Sequence, residues 1–148
     1  MNQTEYIELI KSRDPAIEWI RENWKWHGLE SFIIIRLKNG KQRKIYPIKI
    51  DLEESKLKYI RDETCPNITH PAMFNAVLDM IEELEYRVSI LPFPYDEPQY
   101  KIELQDASLQ SIGKRNPLRH SVYSKSRSEA AAEALLWCIQ EKIRRKQK

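Results

Sequence analysis

A chain of 148 residues, 41% apolar and 32% charged, can bury a core without staples and has the balance of a globular domain rather than a disordered one. Its formal net charge is +3, and the apolar run Phe32-Ile33-Ile34-Ile35 is far too short to cross a bilayer. Two cysteines in apolar contexts, Cys65 and Cys138, with no CxxC or Cys/His cluster, argue against a disulfide scaffold or a zinc site and read as buried free thiols.

The opening MNQTEYIELIKSRD mixes acids and bases and reads as neither a signal nor a transit peptide, so the expectation is a cytoplasmic protein with no membrane partner. Tyr6, Ile7 and Ile10 suggest a short helical turn. Asp14-Pro15 then starts the first clear helix, an N-cap with proline at the first helical position, and Ile17, Ile20 and Trp24 recur at helical spacing up to a stop at Gly28. Trp19 and Trp26 lie off that stripe.

The segment FIIIRLK-NG-KQRKIYPIKI predicts a β-hairpin closed by Asn39-Gly40, the pair favoured in a type I′ turn. A two-residue turn fixes the register, with Lys38 opposite Lys41, Arg36 opposite Arg43 and Ile33 opposite Tyr46. Ile33, Ile35 and Leu37 then share a face with Tyr46, Ile48 and Ile50, the expected core side, which leaves the bases on the other face. Pro47 points to an edge strand, and a short helix is expected from about Glu53 to Arg61.

Thr69-His70-Pro71 starts another helix, whose stripe is Phe74, Val77, Leu78, Ile81 and Leu84. Tyr86, Val88 and Ile90 alternate with polar residues, as do Tyr100, Ile102 and Leu104, across the proline-set connection PFPYDEP. A loop from Asp106 to Leu118 leads to a third strand around His120, Val122 and Ser124. Ser126-Arg127-Ser128-Glu129 reads as a capping box opening the last helix, with Ala131, Ala134, Leu135 and Cys138 as its packing face and the basic KIRRKQK at its end. The expected fold is α+β, antiparallel sheet with packed helices in the order α-ββ-α-α-βββ-α. It is read as a single domain over residues 1–148, with two loosely similar halves, 1–64 and 68–146, as the alternative.

From Pro71 to Ile143 the chain resembles the phage ABA-sandwich domain, in its order of elements and in the Ala-rich closing helix SEAAAEALLWCIQ. The resemblance implies a phage or prophage setting more than an activity. The same half is similar to the double-stranded RNA-binding domain, whose last helix also opens on a serine and a basic cluster and continues in alanines, here Ser124-Lys125-Ser126-Arg127 and Glu129-Ala130-Ala131-Ala132. That resemblance gives Lys125 and Arg127 phosphate contacts. The chain departs from it where His120-Ser121-Val122-Tyr123 stands in place of a glycine-rich approach, and in Glu129 and Glu133.

No phosphate loop, dinucleotide fingerprint, nucleophile elbow or metal-binding motif is present, so no catalytic residue, cofactor or metal is expected. His27, His70 and His120 are far apart, with His70 reading as a helix cap and His120 as a packing or anion contact. Glu82, Glu83 and Glu85 read as a solvated helix face, and Lys101 with Glu103 is only a fragment of a nuclease-like constellation.

The charge map says more. Residues 31–50 carry six bases and no acid, residues 107–127 five bases and no acid, and residues 65–106 eight acids against two bases. Like charges facing each other across the hairpin are destabilising, and either a bound anion or a need to protect a sheet edge accounts for them. Three tryptophans within eight residues, Trp19, Trp24 and Trp26, exceed what one helical stripe buries, which points to an interface in a homodimer or with a partner.

The expectation is therefore a non-catalytic binding protein of phage or mobile-element type that engages or inhibits a host protein or protein–nucleic-acid complex, by analogy with anti-CRISPR and other anti-defence inhibitors. Its expected contact residues are Arg36, Lys38, Lys41, Arg43, Lys44, Lys114, Arg115, Arg119, Lys125, Arg127 and Trp26. The alternatives are a nucleic-acid-binding module using the same basic segments, and an undetected hydrolase or nuclease.

Overall fold

The computed structural model describes residues 1–25, 30–38, 43–48, 59–93, 99–108 and 118–146. Its contacts divide the chain into two units, Thr4–Asn67 and Ile68–Lys148, the latter joined by Met1–Gln3. Each builds a three-stranded antiparallel sheet with helices, so the α+β expectation holds. Among the described residues no helix is long and apolar enough to cross a membrane.

In the N-terminal unit, α1 (Gln3–Lys11) is a full helix rather than a single turn. It ends in a Schellman motif: the amides of Arg13 and Asp14 donate to the carbonyls of Ile10 and Leu9, with Arg13 at a left-handed φ of 56°. Asp14 then caps α2 (Pro15–Asn23), its carboxylate accepting the Ala16 amide at 2.9 Å. Ile17, Ile20 and Trp24 are buried as the spacing predicts. The helix stops at Asn23 with Trp24 as its C-cap, four residues before the expected Gly28, which lies outside the described residues.

Strands β1 (Ser31–Leu37) and β2 (Arg43–Pro47) pair in the predicted register, Ile33 opposite Tyr46 and Arg36 opposite Arg43. The Asn39-Gly40 turn itself lies outside the described residues. The helix expected over 53–61 is corrected at its described end by a strand, β3 (Tyr59–Pro66), which pairs with β1 and makes it the central strand. Phe32, Ile33, Ile34 and Ile35 are all buried, so β1 has no solvent face along this run.

The face of this sheet that carries the helices is also corrected. Tyr6 of α1 lies against Phe32, donates to the Pro66 carbonyl at 2.7 Å and sits 3.3 Å from Cys65 Sγ. Arg21 of α2 is ion-paired with Glu63 and Glu18. The helices therefore cover the Phe32, Ile34, Glu63 and Cys65 side, which by strand alternation is the side of Arg36 and Arg43. Arg43 is accordingly half-buried, 3.4 Å from Glu63, rather than on an open basic face. Ile48, expected in the core, is 45% exposed, Tyr46 is half-buried, and Ile50 lies outside the described residues.

In the C-terminal unit, His70 caps a single 3-10 turn (Pro71–Met73), Nδ1 accepting the Ala72 amide at 3.0 Å. The turn runs into α3 (Phe74–Glu83), which buries Val77, Met80 and Ile81. Glu85, at a left-handed φ of 67°, reverses the chain into β4 (Tyr86–Phe93), followed by β5 (Gln99–Asp106) and β6 (Arg119–Ser124), in the sheet order β4-β5-β6. The last helix, α4 (Arg127–Lys146), packs on β5 and β6 and against α3, burying Ala131, Ala134, Leu135 and Cys138. Its Ser126 hydroxyl accepts the Glu129 amide at 3.5 Å, as predicted. The return bond of the box differs, because the Ser126 amide faces Ser124 Oγ at 3.4 Å instead of Glu129.

Ile102, Leu104 and Val122 face the helices, and Trp137 of α4 lies edge-on to Tyr86 and stacks flat on His120 at 4.3 Å. That stack is the packing role expected of His120. Asp106 ties the end of β5 to the last turn of α4, its carboxylate accepting the Ser108 amide at 2.9 Å and pairing with Arg145 at 3.0 Å.

Candidate binding surface

Alternation along three paired strands dictates a second face. Where Val88, Ile102, Leu104 and Val122 point to the helices, the intervening residues point the other way. The register sets them in rows across the sheet: Arg87–Gln105–Arg119, then Ser89–Glu103–Ser121, then Leu91–Lys101–Tyr123. Arg87, Ser89, Leu91, Arg119, Ser121 and Tyr123 are exposed, and Lys101, Glu103 and Gln105 of the middle strand are half-buried. The first two rows line a shallow depression of about 150 Å³.

The electrostatics of this face are graded. Lys101 Nζ lies 2.8 Å from Glu103 Oε1, and this hydrogen bond holds the Glu103 carboxyl below its ordinary value and the Lys101 ammonium above its own. The middle of the face is thus internally neutralised. Arg87 and Arg119 make no ion pair among the described residues, and two strand spacings place their backbones about 10 Å apart with the Gln105 amide between them. Two guanidiniums outside any described ion pair, of which Arg119 also helps to hold the Glu103 carboxyl down, flank an amide and two serine hydroxyls in a donor-rich hollow that suits an anion. At the far end of the face, Tyr123 is 47% exposed and Leu91 43%, with Lys101 Nζ 5.8 Å from the Tyr123 ring centre.

In comparison with protein-family models, with curated proteins and with solved structures, no match was found.

Of the expected contact residues, Arg119 alone among those described belongs to this face, together with Lys101 and Glu103, read in the sequence as a nuclease-like fragment. Arg36 and Lys38 are exposed at the end of β1, and Arg43 and Lys44 are half-buried in β2 of the same unit. Lys125 and Arg127 are exposed at the start of α4, where the Arg127 guanidinium stands 5.3 Å over the Phe74 ring. Lys41, Lys114, Arg115 and Trp26 lie outside the described residues. Among the described residues no three His, Cys, Asp or Glu side chains stand close enough together to hold a metal ion.

Arg87, Ser89, Gln105, Ser121 and Tyr123 are what the sequence reading missed. Arg87 was hidden by counting charge along the chain, because it sits in the acidic stretch 65–106. Its signal was the strand alternation already read for Val88 and Ile90, followed on the odd-numbered positions.

Proposed function

We propose that the protein is a non-catalytic binding protein whose contact surface is the open face of the β4-β5-β6 sheet, taking an anionic group of a partner macromolecule between Arg87 and Arg119. The observation that carries this reading is the pair of exposed guanidiniums, unpaired among the described residues, on either side of Gln105. A binding role also suits Glu103, the one carboxylate in the three described rows of the face. A general acid or base works best near the operating pH, whereas the ion pair with Lys101 moves Glu103 the opposite way. The basic hairpin is the weaker surface, since Arg43 is drawn into the Glu63 ion pair and covered.

Long-chain inorganic polyphosphate is a suitable probe, being a flexible polyanion with no bases to read. The Arg87→Glu/Arg119→Glu variant should lose polyphosphate binding by calorimetric titration, while Arg36→Glu/Lys38→Glu should bind within about twofold of the parent. Both pairs are exposed, so thermal unfolding should hardly move, surface substitutions usually falling within about 0.5 kcal/mol. Retained binding by the first variant with loss in the second would transfer the site to the hairpin.

A further inference from the structure

The open sheet face joins a cationic row to an aromatic and apolar row. The Arg87–Gln105–Arg119 row and the Leu91–Lys101–Tyr123 row stand four residues apart along β5, about 13 Å at the rise of a strand. A polyanion without rings uses only the first row. A duplex buries its base faces in its own stack and leaves nothing to lie on Tyr123. An unpaired nucleotide chain offers both phosphates and open base faces, the combination that basic grooves with aromatic platforms recognise. Between the two rows lie groups suited to base edges. Glu103 accepts from an exocyclic amine, Ser89 and Ser121 donate or accept, and Gln105 does both. The Lys101–Glu103 pair also removes the obstacle a bare carboxylate would pose to phosphate.

From this placement we propose that the anionic partner of the face is single-stranded nucleic acid, with phosphates on Arg87 and Arg119 and a base stacked on Tyr123. The proposal rests on the binding surface assigned above and narrows its ligand. The Lys101 ammonium near the Tyr123 ring adds a cation beside the stacked base. Arg87, Arg119 and Tyr123 come from three positions spread over 37 residues of chain, and only the sheet register brings them onto one surface.

The test uses the full chain and labelled twelve-nucleotide strands, followed by fluorescence anisotropy, beside the matching duplex, polyphosphate and polyglutamate. The expected result is single-strand binding at least about tenfold tighter than duplex binding. Tyr123→Ala should weaken it about tenfold, within the range seen for loss of one base–aromatic stack, and Tyr123→Phe should keep it. Tyr123→Leu, which retains the apolar area, serves where the alanine variant unfolds, and it should show the same loss. Arg87→Ala and Arg119→Ala should each reduce the slope of log affinity against log salt by about 0.7. Binding of polyphosphate but not of single strands would overturn this proposal and leave the anion surface standing. A duplex bound as tightly as the single strand, or Tyr123→Leu at parental affinity, would overturn it as well. Polyglutamate bound in preference to both nucleic acids would assign the face to an acidic protein, and binding of none of the probes would remove the surface itself.

Discussion

Asp106 and Arg145 should hold the C-terminal unit together asymmetrically. The Asp106 side chain is 4% exposed and Arg145 42% exposed, so the two partners differ in what they lose when left alone. Replacing Asp106 with alanine frees an arginine that water can reach and takes the acceptor from the Ser108 amide. The cost should be about 1.5–3 kcal/mol, the scale of hydrogen bonds to a charged group. Replacing Arg145 with alanine leaves a buried carboxylate that still accepts the Ser108 amide. Breaking a fully buried pair costs about 3–5 kcal/mol, and because water can enter the place vacated by a half-exposed arginine the expected figure here is about 2–3 kcal/mol.

The double variant should cost less than the sum, with a coupling of about 1–2 kcal/mol, since once Asp106 is gone Arg145 has little to lose. Urea unfolding followed by near-ultraviolet circular dichroism and by amide exchange of β5 measures all three variants. The exchange should quicken first at Gln105 and Asp106, beside the candidate surface. Additive losses, or an Arg145→Ala cost under about 0.5 kcal/mol, would refute the idea that this pair closes β5 onto α4.

Arg13→Gly should stabilise the protein by about 0.5–1 kcal/mol, because the left-handed residue closing α1 carries a Cβ penalty that glycine lacks, and thermal unfolding reads the gain. Ser126→Ala should cost about 1 kcal/mol through loss of the α4 cap, with a larger cost at Ser126→Pro. Burial pushes the Cys65 thiol up from 9.0 to about 11 and the Tyr86 phenol up to about 12. Both groups are favoured in their neutral form by the fold, so the stability each contributes is whole below its ordinary value, 9.0 for Cys65 and 10.0 for Tyr86, and drains away as pH rises through about 11 and about 12 respectively. For Cys65 the rise from 9.0 to about 11 is worth at most about 3 kcal/mol, and Cys65→Ala should flatten that part of the alkaline unfolding profile. In the native protein both thiols should resist alkylation at neutral pH, each being buried and pushed up by burial.

Local chemistry was legible where it was self-contained. Asp14-Pro15, His70-Pro71 and Ser126 announce helix starts because a cap needs only its own next few amides. The register of β1 and β2 followed from a two-residue turn, and it matches the observed pairs from Phe32–Pro47 to Arg36–Arg43. Which face of that hairpin carries helices was not legible, because four consecutive apolar residues alternate with nothing and satisfy either choice. Strand β3 failed for a related reason: YIRDETCP is charge-rich and without clear alternation, and its state is decided by pairing with β1, some thirty residues earlier. The candidate surface was half-legible. Arg119 was noticed as a base in an acid-free segment, but its partner Arg87 and platform Tyr123 needed the β4-β5-β6 register, which no single stretch of sequence contains.

The most direct measurement of the central claim is an amide chemical-shift titration of the isotopically labelled full chain with polyphosphate and with a single-stranded oligonucleotide. The account predicts that both ligands move the amides of Arg87, Ser89, Glu103, Gln105, Arg119 and Ser121, and that the oligonucleotide alone also moves Leu91, Lys101 and Tyr123. Shifts confined to Arg36, Lys38, Arg43 and Lys44, with the β4-β5-β6 sheet unmoved, would contradict it.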